Sequence, residues 1–147
     1  MRAVIQRVHS VQYQGQDGAG AITKGYLIYL GVAHGDTEDS ARILADKISL
    51  VRSYQDEAGE WDRHLRDIHG DVIIILEPDI LARCIRGRRP IYNAVAALSR
   101  ARALTECFAL NFSKLGLHTA YLIPDKSTSV IADLDGPVTF IVDTADL

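Results

Sequence analysis

A chain of 147 residues is sized for one domain and buries roughly 70% of the surface its unfolded form exposes, so it needs neither a second domain nor covalent staples to hold a core. With 16 Lys and Arg against 19 Asp and Glu, the net charge of −3 excludes broad, sequence-blind nucleic-acid binding and leaves only a local basic patch at Arg83, Arg86, Arg88 and Arg89. The longest apolar runs, such as residues 72–76, fall far short of the roughly 20 residues that cross a bilayer, and Cys84 and Cys107 are the only two thiols; with Arg2 and Arg7 interrupting any apolar start, the expectation is a cytoplasmic protein with reduced cysteines and no membrane partner.

There is no internal repeat or low-complexity tract, and the four prolines are scattered at 78, 90, 124 and 137, so one unit over residues 1–147 is expected. Residues 3–13 alternate apolar and polar with β-branched Val4, Val8 and Val11, the period of a half-buried strand; residues 15–20 then read as a turn and Ala21-Ile22 as a second strand. Residues 26–32 form a continuous apolar run between Gly25 and Gly35-Asp36, which predicts a central strand buried on both faces. Asp36 or Thr37 is positioned to cap a helix in which Ala41, Leu44, Ala45, Ile48 and Val51 recur at three- and four-residue steps, with Glu38 and Asp39 at the positive end of its dipole. A strand near Ser53 follows, then a polar turn over 55–60 and a second buried strand over 71–76.

The stretch Val95, Leu98, Leu104, Cys107, Phe108, Phe112 and Leu115 predicts a second helix that stops at Gly116. Separate strands are expected over 119–123, 128–133 and 138–142. About seven strands and two helices define an α+β domain whose curled, barrel-like sheet is expected to be mainly antiparallel.

Chemistry-bearing residues are few. Glu77 and Asp79, two apart on what reads as extended chain, face one side, where one acts as a general base if desolvated or both remain solvated loop acids. Cys84, flanked by Arg83 and Arg86, is expected to be a small buried hydrophobe, with a nucleophilic thiol as the alternative. The five histidines are dispersed without ligand spacing, so neither a metal nor another cofactor is expected, and Trp61 is expected in the core or at a subunit contact, with a stacking platform as the alternative.

Residues 3–8, 25–32, 35–38, 56–59, 87–90 and 136–139 resemble, in order and spacing, the D-aminoacyl-tRNA deacylase family, with its AVIQRV-like first strand and closing G-P-V-T. The resemblance spans nearly the whole chain. It implies a homodimer that hydrolyses the ester joining a D-amino acid or glycine to the 3′ end of tRNA. It also implies a cis Gly136-Pro137 bond entering the partner's site, where the motif's carbonyls hold the substrate's amino group, with Arg7 as its electrostatic support. Arg88 and Arg89, in the family's G-x-R-P-like run, either grip tRNA phosphate or cover the sheet's rim.

The chain departs from the family in three places. The signature Ser-Gln-Phe-Thr-Leu falls on Leu76-Glu77-Pro78-Asp79-Ile80, the adenosine-lining run falls on residues 124–128, and Leu134 stands where the family has Asn. By the resemblance, Glu77, Asp79 and Ile80 occupy the catalytic segment whose backbone meets the ester carbonyl, although Pro78 removes one N–H and two acids set negative charge beside a developing oxyanion. Three functions follow as alternatives: a divergent deacylase acting on aminoacyl-tRNA, a binding protein that kept the scaffold without the ester chemistry, or an enzyme for a small amino-acid-like molecule that uses Glu77 or Asp79 as base.

Overall fold

Alternation in the first strand organises the molecule. In the computed structural model, which describes residues 1–16, 18–85 and 87–147, β1 (Arg2–Gly15) turns Ala3, Ile5, Val8 and Val11 inward. Along one edge it pairs antiparallel first with β3 (Gly25–Gly31) and then with β2 (Gly18–Ile22). Its other edge is occupied along almost its whole length by β8 (Ser129–Asp143). From β3 the sheet continues in parallel through β6 (Asp71–Leu76) to β7 (Thr119–Leu122), while β4 (Arg52–Gln55) and β5 (Trp61–His64) form a separate hairpin.

Among the described residues there are eight strands and two α-helices, and the larger sheet is a curled half-barrel. It is mixed, where a mainly antiparallel sheet was expected: the two parallel pairings are joined by crossovers that carry α1 (Glu38–Ser49) and α2 (Leu98–Lys114), as parallel neighbours require. Thr37 caps α1 reciprocally with Ser40, each side chain accepting from the other's backbone N–H, and Gly116, at φ +80°, stops α2. Both helices pack on one sheet face, where Leu44, Ile48, Phe108 and Phe112 meet Tyr26, Ile28 and Ile74. Ile73 and Ile75 turn to the opposite face and join Val8, Val11 and Leu27 in a smaller cluster, so β6 is apolar throughout because it is covered on both sides.

Two further expectations are corrected. The strands read over 128–133 and 138–142 are one, β8, which continues through the Gly-Pro pair by bulging. Glu77 and Asp79 do not share extended chain: Glu77 is extended at φ −133°, but Pro78–Leu81 is a 3-10 turn whose first position suits proline's fixed φ and whose cap is the Glu77 side chain. That turn lies on Gly31, where any Cβ would meet Leu81 at 2.7 Å and Ile80 at 2.9 Å.

Candidate functional site

Between the pairs Gln6–Thr139 and Val8–Leu134, a single β1 residue, Arg7, faces four residues of β8. The surplus chain forms a bulge holding Gly136 and Pro137, the position in a sheet where proline's missing N–H does least harm. The Gly136-Pro137 peptide is cis, and Gly136 has φ +123°, a conformation open to glycine and strained for other residues. A Cβ at this position would meet Val138 Cγ2 at 2.9 Å and stand 3.7 Å from Arg7 Nη2.

Arg7 holds the base of the bulge. Its side chain is about nine-tenths buried; Nη2 donates to Asp135 Oδ1 at 3.1 Å, and Nη1 donates to the Ser53 carbonyl. Nε lies 3.0 Å from Asp135 Oδ2, at ion-pair distance but without a hydrogen bond's alignment. The guanidinium carbon sits 5.4 Å from the Tyr54 ring centroid and 5.2 Å from that of Trp61, so two electron-rich rings flank the charge. Tyr54 donates to the Gly25 carbonyl at 3.1 Å, and Tyr26 shares a hydrogen bond with Ser53 Oγ. Burial, reinforced by the neighbouring Tyr26, raises the Tyr54 hydroxyl far above the ordinary tyrosine range despite the opposing charge of Arg7.

A second feature, a hollow of about 350 Å³, lies elsewhere on the chain. Glu77, Pro78 and Asp79 at the end of β6 form part of its wall, with Val95 and Leu98 before and at the start of α2 and Ile123 and Pro124 after β7. Two segments that depart from the family pattern, 76–80 and 124–128, therefore meet in one place. The backbone N–H of Glu77 is spent on the Leu30 carbonyl at 2.8 Å, Pro78 has none, and that of Asp79 donates to Glu77 Oε1 at 3.2 Å. Asp79 Oδ1 accepts from the Tyr92 hydroxyl at 2.6 Å, and this bond is the largest cause of a tyrosine pKa raised above its ordinary value.

The sequence candidates thus fall into two groups. Glu77 and Asp79 line the hollow, and Ile80 stands next to them with its side chain over Gly31 and its carbonyl accepting from Arg2 Nη1 at 3.4 Å. Arg7, Gly136 and Pro137 form the bulge and line no part of the hollow. Arg88 and Arg89 are exposed beyond the Arg83–Ile91 bridge, and Arg86 lies outside the described residues. Cys84 is exposed, not buried, because the loop that carries it runs over the surface. Trp61 is 52% exposed and so is not a core residue. Tyr92, Tyr54 and Lys24 were not singled out in the sequence; no local pattern marks them, and only the fold brings them to Asp79 and Arg7.

These features define a class first by architecture. The chain superposes on the structure of c-Myc DNA Unwinding Element Binding Protein with a TM-score of 0.87, covering 98% of this chain and 99% of that one at 23% identity. It also superposes on a probable eukaryotic D-amino acid tRNA deacylase with a TM-score of 0.80, covering 96% and 97% at 11% identity. At such identities the likeness is one of fold. In sequence, the model of the D-Tyr-tRNA(Tyr) deacylase family matches residues 4–143. The chain is 37% identical to the D-aminoacyl-tRNA deacylase of Thermus aquaticus, covering 99% of this chain and 97% of that one. It is 40% identical to that of Roseiflexus castenholzii, covering 99% and 93%. The chain belongs to the D-aminoacyl-tRNA deacylase family.

Proposed function

We propose that this chain hydrolyses the ester of a D-amino acid or glycine on tRNA, as a homodimer in which the Gly136-Pro137 bulge of one protomer completes the hollow beside Glu77 and Asp79 of the other. The observation that carries this reading is that the supported Gly-Pro bulge and the apolar hollow stand apart on one chain; in this reading each is half of a site that a second copy completes. The outer side of β8 supports the same arrangement. It displays Ile131 and Ile141, 68% and 69% exposed, on a strand that pairs only with β1 among the described residues. A two-fold dimer would bury them against their own copies.

In this reading the exposed carbonyls of the bulge hold the substrate's ammonium, and water adds to the ester carbonyl inside the hollow. The carbon–oxygen bond to the ribose then breaks, and the leaving oxygen takes a proton. Residues 77–79 offer no free backbone donor while Glu77 occupies the Asp79 N–H. Displacing the Glu77 carboxylate therefore supplies two things at once: an N–H for the oxyanion and a carboxylate that accepts the proton of water. Ile80 continues the same turn and sets its position. Arg88 and Arg89 contact tRNA phosphate.

The experiment is hydrolysis of D-aminoacyl-tRNA and glycyl-tRNA by the purified protein, alongside light scattering for the dimer. Turnover that collapses in Pro137→Ala supports the reading. Turnover should also fall by about 10²–10⁴ in Glu77→Gln, which keeps an acceptor for the Asp79 N–H but loses the base. A folded monomer, or a folded dimer without turnover, would overturn it and leave the hollow to a small amino-acid-like ligand, with Glu77 or Asp79 as base.

A further inference from the structure

Beside the Gly-Pro bulge lies a separate cavity of about 240 Å³, lined by Arg7, Lys24, Tyr54, Trp61, Arg63 and Asp135 among others. Three cations face one carboxylate, and that carboxylate is already engaged by Arg7. Lys24 and Arg63 have no carboxylate within 4.0 Å among the described residues; the Arg63 guanidinium donates to the Asp67 carbonyl at 3.1 Å, while the Lys24 ammonium stands 5.3 Å from the Tyr54 ring centroid. Tyr54 therefore lies against both Arg7 and Lys24, a ring whose electron-rich faces allow two cations to remain close. Arg7, about nine-tenths buried, is committed to Asp135 and the Ser53 carbonyl, so the uncompensated positive charge at the cavity comes from Lys24 and Arg63. Such a cavity attracts an anion.

Its size and its one exposed aromatic decide which anion. At about 240 Å³ it falls below the range of sites that enclose a drug-sized molecule, so it admits a phosphate group and not a whole nucleotide. Trp61 stands half exposed at the same cavity. A cationic trough beside an accessible aromatic ring is the arrangement that binds unpaired nucleic acid, with phosphate in the trough and a base stacked on the ring. We infer that Lys24, Arg63 and Trp61 form a binding site for one phosphate and one stacked base of an unpaired ribonucleotide strand. The identification of that strand as the 3′ end of the substrate tRNA rests on the deacylase reading: the cavity shares Arg7 and Asp135 with the bulge, and the phosphates nearest the ester lie in that unpaired end. Such a site would give a chain of negative net charge a local affinity for nucleic acid.

Trp61 is the sole tryptophan, so its fluorescence reports the site directly. The full chain is titrated with the trinucleotide cytidylyl-cytidylyl-adenosine, carrying its two phosphodiesters and no amino acid, and, separately, with inorganic phosphate at matched phosphate concentration. The trinucleotide should quench Trp61 saturably, with log K falling against log salt by about 0.7 for each phosphate contacted. The Lys24→Gln/Arg63→Gln double variant should bind about tenfold more weakly and lose one contact's worth of that slope. Trp61→Leu, read by anisotropy of a labelled trinucleotide, should also lose about tenfold. Urea midpoints near that of the parent chain would confirm that these surface changes leave the fold intact. Equal quenching by inorganic phosphate alone, or trinucleotide binding indifferent to the substitutions, overturns the inference. Hydrolysis separates it from the deacylase reading. Trinucleotide binding with these dependences but no turnover retains the strand site and removes the deacylase. Turnover with unchanged KM in the double variant does the reverse.

Discussion

Replacing Asp135 by Asn removes the counter-charge of Arg7 while keeping the shape of the bulge. At about 3 Å and an effective dielectric near 20, the lost attraction is about 5 kcal/mol gross. Three features reduce the net loss. The Asn carbonyl still accepts from Nη2, the Ser53 carbonyl still accepts from Nη1, and the Tyr54 and Trp61 rings each retain roughly 0.5–2 kcal/mol of cation–π attraction. The Asp135 side chain is also 23% exposed, so water reaches one side of the pair and the loss falls below the 3–5 kcal/mol of a fully buried pair. The expected cost is about 2–3 kcal/mol, a drop in Tm of roughly 4–10 °C for a domain of this length. Urea unfolding should show a lower midpoint with unchanged slope, and a double-mutant cycle with Arg7→Gln should return a coupling energy of about 1–2 kcal/mol. A loss under about 0.5 kcal/mol with no coupling would refute the assignment of Arg7 and Asp135 as the bulge's support.

Gly25→Ala should be far more damaging than its chemistry suggests, at or above the roughly 3 kcal/mol upper end for overpacking, because the new Cβ would fall 1.9 Å from the Asp71 carbonyl oxygen; soluble expression at the parent Tm would contradict this. Phe108→Ala empties a fully buried position edge-on to Phe112 at 5.1 Å and should cost about 3–5 kcal/mol by urea titration. Tyr26, Tyr29 and Tyr54 have hydroxyls raised chiefly by burial, so phenolate absorbance in the folded protein should lag behind that of the urea-unfolded chain. Because the native values lie above the unfolded ones, their contribution to stability is complete below about pH 10 and is lost as pH rises through the native values; coincident titration curves would contradict this. Asp143 behaves in the opposite sense. Burial alone would raise its pKa, but the Ala145 N–H and the Arg2 guanidinium lower it overall, so its contribution is complete above pH 3.8 and fades as pH falls through the lower native value. The stability difference between the parent chain and Asp143→Asn should therefore vanish in strong acid.

Elements were legible in the sequence where one periodicity acted alone. The six residues of β6, the capped start of α1 and the Gly116 stop of α2 follow from apolar spacing and end chemistry. β5 was not legible, because Trp61-Asp62-Arg63-His64 carries no alternation and pairs through an irregular register with β4. The continuity of β8 was hidden by Gly136-Pro137, which reads locally as a turn but is a bulge opposite Arg7, whose side chain holds Asp135 from a distant segment. The candidate site divides in the same way. Glu77, Asp79, Arg7, Gly136 and Pro137 were visible as residues, whereas the Tyr92–Asp79 bond spans 13 positions of chain and the cluster of Lys24, Tyr54 and Arg63 spans 9 to 39. The 3-10 turn at Pro78–Leu81 lay between: proline after a potential capping acid is a readable start signal, but one turn is too short for periodicity to register.

The pairing of β1 with β8 joins Arg2 to Asp143 and so ties the earliest of the described strands to the latest. The roughly 110 residues between Gly15 and Ser129 take on the order of 6–20 s to translate at 5–20 residues per second. Throughout that interval one long edge of β1 has no native partner, although β2 and β3 are already available to its other edge. The nascent chain thus carries an unpaired, half-apolar strand edge of the kind that recruits foreign strands, and during synthesis its solubility depends on how quickly a growing polypeptide is released or shielded. In the cell, yield should respond to translation speed and chaperone supply even for variants whose finished fold is as stable as the parent's.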